Sequence, residues 1–295
     1  LDLRTVYLVQ VGSQPKQPDS VESKLPPAEL AKLILDDQTP KDRRERCVTA
    51  AVAHAPNVIR AMTADLKAGD TKEEYRRIPG IWRVAIAAGR ADDAKTLRGL
   101  LDVSLPKVGD PLADWQAVVL GGGVINGLSL EGKWPAPRLA ELIGKDMGLA
   151  NRWAGGLKLS HAMADDETVP TGTRYDALRI MPLDDWKAAK PRLTKYLAKS
   201  AHAELQMGAV SGLVDVDHPE ASTLLLQALP DLTAGNRTLA VAGLLRTPAR
   251  TTALLDAIDK GDAKVEWLEK PHRAKLLEHP DRDIRSRAAK LLADR

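Results

Sequence analysis

Phenylalanine is missing from all 295 residues, and tryptophan and tyrosine bring the aromatic share to only 3%. The core must therefore come from Leu, Ala, Val and Ile, a mixture that suits closely spaced helices. Small Ala faces let helix axes approach while Leu fills the grooves. Cysteine is nearly absent too. The single Cys47 excludes an internal disulfide, a CxxC zinc knuckle and a CxxCH haem attachment in this segment. It lies on an apolar face and is expected as a small core residue rather than a nucleophile. No apolar run approaches the roughly 20 residues that span a bilayer, and the longest, 115–124, contains glycine. A charge excess is also lacking. Forty-three Lys and Arg against 40 Asp and Glu leave +3, which gives no electrostatic ground for a nucleic-acid partner. The chain opens Leu1-Asp2-Leu3-Arg4 without Met, basic n-region or apolar h-region, as expected of a segment cut from a longer polypeptide.

What is present points to helices. Hydrophobic residues at 44% and charged residues at 28% describe a chain that folds. Apolar positions recur at three-to-four spacing over 28–35, 48–55, 93–101, 139–143, 175–181, 205–213, 239–245 and 284–292. Between them stand Thr39-Pro40, Asp110-Pro111, His218-Pro219, Thr247-Pro248 and His279-Pro280, which stop one helix and start the next. Only 5–11 alternates as a strand would.

A faint repeat marks the C-terminal half. Ala177 with Met181, Ala209 with Leu213, Ala240 with Leu244 and Ala288 with Leu292 share one offset, and their starts differ by 32, 31 and 48 residues. The last gap holds an insertion around 261–270. Two helices per repeat fit these periods. The expected fold is all-α: an α-solenoid, a right-handed superhelix of HEAT-like two-helix repeats forming a single domain over 1–295. Repeats are irregular in 1–160 and clearer in 161–295. The clearest unit, 280–289, places acidic residues at a helix start and aligns Ile284, Ala288 and Leu292 in one stripe.

Three blocks and the terminal unit 276–292 together carry a family resemblance. They are Glu73-Glu74-Tyr75-Arg76-Arg77-Ile78-Pro79 with Trp82-Arg83-Val84; Trp115-Gln116-Ala117-Val118-Val119 with Gly121, Gly122 and Gly123; and Thr173-Arg174-Tyr175-Asp176-Ala177-Leu178-Arg179. In combination they resemble the HEAT-repeat region of planctomycete-type exported proteins that join a sorbosone-dehydrogenase-like propeller, HEAT repeats and a c-type cytochrome domain. The resemblance implies an extracytoplasmic (periplasmic) protein, with haem c elsewhere in the parent chain. It transfers no haem ligand and no catalytic residue to this segment, which lacks CxxCH.

Candidate sites are few. Gly121, Gly122, Gly123 and Gly127 do not form GxGxxG or a phosphate loop, so they are expected to permit tight helix crossing or a kink. Asp215, Asp217, His218 and Glu220, and His161 with Asp165, Asp166 and Glu167, hold metal-type donors without diagnostic spacing. Both groups sit where helices end and begin, which favours capping. No metal, cofactor or catalytic residue is assigned. Tyr75, Arg76, Arg77, Trp82 and Arg83 have the composition of an interface hot spot and are the partner-binding candidates; the competing expectation is internal packing, with the arginines paired to Glu73 and Glu74. The expected function is a non-catalytic scaffold or protein-interaction module whose partners are protein domains of the same or another chain. A nucleic-acid-binding solenoid and an enzyme using an acidic cluster are the alternatives.

Overall fold

The computed structural model describes residues 20–67 and 69–293; the strand expected at 5–11 lies outside them. Among the described residues every regular element is helical. We label them α1 (Pro27–Leu35), α2 (Lys41–Ala51), α3 (Ala55–Thr63), α4 (Thr71–Ala91) and α5 (Ala94–Ser104). Next comes α6, a continuous helix of three pieces, Asp114–Ala117, Val118–Ile125 and Asn126–Leu130, of which the middle one is a π-helix. Then follow α7 (Pro135–Ile143), α8 (Met147–Asp165), α9 (Thr171–Ile180), α10 (Trp186–Leu197), α11 (Ala203–Asp215) and α12 (Pro219–Ala228). The last are α13 (Ala234–Leu244), α14 (Pro248–Lys260), α15 (Lys270–Leu277) and α16 (Arg282–Ala293).

Local chemistry sets these boundaries. Asp70, Asp93, Asp146, Thr233 and Thr247 accept a backbone N–H in the first turn of α4, α5, α8, α13 and α14. Proline occupies the first turn of α3, α7, α12, α14 and α15, where its missing N–H costs nothing. Gly261, at φ 82°, closes α14 in the left-handed conformation.

Packing follows two interleaved rows. In one, α1 packs on α3, α3 on α5 and α5 on α7; in the other, α2 packs on α4, α4 on α6, α6 on α9, α9 on α11 and α11 on α13. One large apolar cluster runs from Leu30 to Ala288 between them.

A recurring side-chain device ties α2, α9, α11, α13, α15 and α16 to the chain just before them. Arg44, Arg174, Arg237, Arg273 and Arg285 are each the fourth residue of their helix. Each donates to main-chain carbonyls at or beyond the end of the preceding helical segment: Asp36, Ala164, Leu229, Leu268 and His279 respectively. Gln206, fourth in α11, does the same with Leu197. These donors satisfy carbonyls that a helix end leaves orphaned and place a cation at the negative end of its dipole. The small residues of the repeat then fall into place. Ala177, Ala209, Ala240 and Ala288 are each seventh in their helix and fully buried. The 48-residue gap before Ala288 holds α14 and the extra helix α15, so the insertion is itself structured.

Candidate functional site

The three sequence blocks quoted above converge where α4, α6 and α9 pack, and the polar groups there form a seam that continues into α11. α4 is 21 residues long and carries Pro79 within it. Pro79 is exposed, while Ile78, Gly80, Ile81 and Trp82 beside it are buried, so packing sustains the helix through the lost hydrogen bond. The glycines of α6 permit the contact. A Cβ at Gly122 would lie 2.5 Å from Asp176 Oδ1, and one at Gly127 would lie 2.7 Å from Gly89 Cα. No phosphate cradle exists there, because 117–128 are buried throughout.

At the start of the seam, Glu74 Oε1 accepts the Trp115 N–H at 2.8 Å, so a side chain of α4 caps α6. The Tyr75 and Thr173 hydroxyls lie 3.0 Å apart. Burial pushes the Glu74 carboxyl above its usual range; the Trp115 N–H pulls it back in part, and the charge of Asp114 adds to the rise. Burial raises Asp114 likewise, with Thr173 opposing. Two turns further along α4, the Trp82 indole N–H donates to the Gly122 carbonyl at 2.9 Å. Ile78, Trp82, Ile86 and Val118, with Tyr75 against them, form an apolar cluster separate from the main one.

Further along the seam, Arg179 donates from Nε at 2.9 Å and Nη2 at 2.6 Å to Asp215 Oδ2, and from Nη1 at 2.9 Å to the Tyr175 hydroxyl. Their side chains are 5% and 0% exposed. Desolvation pulls Arg179 down, but the charge of Asp215 and the Tyr175 oxygen outweigh it and hold the guanidinium protonated. Asp215 Oδ1 is buried without a hydrogen-bond partner among the described residues. At the far end Arg246 Nη1 donates to Ser129 Oγ at 2.7 Å and to the Val214 carbonyl at 3.1 Å, while Nη2 donates to the Lys133 carbonyl at 2.5 Å. Its guanidinium lies 3.9 Å from the Trp134 ring centroid. Arg250 donates to the Val216 carbonyl at 2.5 Å.

The five partner-binding candidates divide. Arg77 is buried, pairing with Glu73 at 2.7 Å and Asp65 at 2.5 Å and donating to the Met62 carbonyl. Arg76 pairs with Glu73 and donates to the Leu35 carbonyl. Trp82 is 9% exposed. Arg77 and Trp82 are therefore packing residues, Arg76 is tied to its own helix and to α1, and Tyr75 and Arg83 remain half-exposed. The acidic groups disperse likewise. His218 caps α12 through Nδ1, Glu220 pairs with Lys190, and Asp217 is exposed while Asp215 is buried. His161 faces Asp184 at 3.5 Å; Asp165 accepts from Arg192, Lys195 and Tyr196; Asp166 accepts from Thr168. Cys47 is buried, and burial raises its thiol pKa.

Glu74, Asp114 and the Arg179–Asp215 pair did not emerge from sequence as a connected group. No family model, curated protein or solved structure matches the chain.

Proposed function

We propose that this chain is an α-solenoid of HEAT-like two-helix repeats, a right-handed superhelix acting as a non-catalytic scaffold that binds or spaces protein domains. The observation that carries this reading is the repeated donor at the fourth helical position. A carbonyl cap renewed in six of the helices is a device for stacking like units. The seam supports it, since Glu74, Thr173, Arg179, Asp215 and Arg246 each hold one helix to another. Tyr75 and Arg83 are the residues through which we read partner contact. Placement in an extracytoplasmic protein with a haem c domain elsewhere in the parent chain rests on the resemblance of the sequence blocks. The test is small-angle scattering combined with cross-linking of the longer parent polypeptide. An elongated, curved envelope and cross-links near Tyr75 that vanish in Tyr75→Ala/Arg83→Ala support the proposal. A spherical envelope refutes the solenoid. DNA binding that weakens steeply between about 50 and 200 mM salt would favour the nucleic-acid alternative.

A further inference from the structure

Trp115 also borders a cleft outside the seam, of about 340 Å³, within the size range of small-molecule sites. We propose that this cleft binds a small aromatic monoanion, an arene carboxylate in chemical class. Its apolar wall is made by Val103, Leu105 and the half-buried Trp115 indole, on which a flat ring can stack. Its charge comes from side chains that the fold leaves uncommitted. Arg60 contacts only its neighbour Asn57, through Nη1 at 2.9 Å, and Lys107 has no ion-pair partner among the described residues.

The other polar lining is accounted for differently. Arg152 pairs with Asp102 at 2.8 Å and donates to the Asp102, Leu105 and Pro106 carbonyls, so it braces the wall. Gln116 gives its carbonyl oxygen to the Ala113 N–H at 2.8 Å, which leaves its amide N–H groups to donate. Against these donors stands one uncommitted carboxylate, Asp110. Two uncommitted cations and one uncommitted anion leave a single positive charge in the lining. One carboxylate on the ligand satisfies it, and a second would meet Asp110. That balance selects a monoanion over nucleotides and other polyanions.

The probe is 2-naphthoate, titrated into the full chain by calorimetry and by ¹H–¹⁵N NMR. The neutral 2-naphthamide and naphthalene-2,6-dicarboxylate serve as controls. Saturable one-site binding is expected, with the Trp115 indole signal shifting. Arg60→Gln and Lys107→Gln should each weaken it about fivefold, the scale of one exposed charge contact. Both residues are exposed, so the variants should keep their far-ultraviolet dichroism. The amide should bind more weakly and the dianion no more tightly. Absence of saturable binding, naphthoate affinity unchanged in both variants, or equal affinity for the amide would each overturn the assignment.

Discussion

Replacing Asp215 with alanine tests whether the seam holds α9 to α11 through a buried charge pair. The substitution leaves the Arg179 guanidinium, whose side chain is 5% exposed, with the Tyr175 hydroxyl as its remaining hydrogen-bond partner among the described residues. Breaking a buried pair from one side costs about 3 to 5 kcal/mol, because the surviving charge keeps its desolvation penalty. With a urea m-value of about 3 kcal/mol/M, the midpoint should fall by about 1 to 1.7 M. Hydrogen exchange should show the loss concentrated in α9 and α11, since these are the two helices that the pair joins. The double variant Arg179→Met/Asp215→Leu should recover most of it, because apolar replacements of similar volume leave no orphaned charge. A midpoint change in Asp215→Ala below about 0.3 M, or a double variant as unstable as the two single losses summed, would refute the reasoning.

Glu74→Gln should raise the melting temperature near pH 7.5, since glutamine can still cap Trp115 and carries no buried charge. Because the folded pKa of Glu74 is raised, its contribution to stability is present at low pH and lost as pH rises through that pKa, so the gain should vanish towards pH 4. Asp65 and Glu73 act in the opposite direction. Arg77 lowers Asp65 to about 2, and Arg76 and Arg77 lower Glu73 to about 2, so their contribution holds at neutral pH and is lost between about pH 4 and 2. Acid titration of stability should show that limb flattened in Arg77→Met. Gly127→Ala should destabilise by about 2 to 4 kcal/mol in urea melts, because its Cβ would meet the backbone of Gly89 and Arg90. Gly155→Ala in α8, with nothing within 4 Å, should instead stabilise by up to about 1 kcal/mol.

The helical character was legible because apolar spacing is a local property, and the regular spacing of Ala177, Ala209 and Ala240 marks positions that are each seventh in their helix and fully buried. Whole helices were missed where packing overrides propensity. The stretch 71–91 was not among the segments with helical spacing, yet α4 runs through Pro79 and Gly80 because its buried face is continuous on both sides of them. The glycines of α6 were correctly read as close-contact positions, but nothing in their order announces a π-helix. The fourth-position donor escaped notice because Arg and Gln play one part and their targets are carbonyls, which have no sequence signature. Asp215 looked like a loop acid beside Asp217. Its partner lies 36 residues earlier on another helix, and only tertiary packing brings them together.

A stack of neighbouring units comes apart like a zipper, from either end and one tooth at a time. Arg246 puts a buckle in it. It reaches Ser129 across 117 residues of chain and the Lys133 carbonyl across 113, and it holds the Val214 carbonyl in the same grip. Unzipping that advances from the N-terminal side must stop at 129–134 until the buckle is released, and unzipping from the C-terminal side must stop at 246. The buckle thus joins the end of α6 to the end of α11 and the close of α13 directly, without passing through the chain between them.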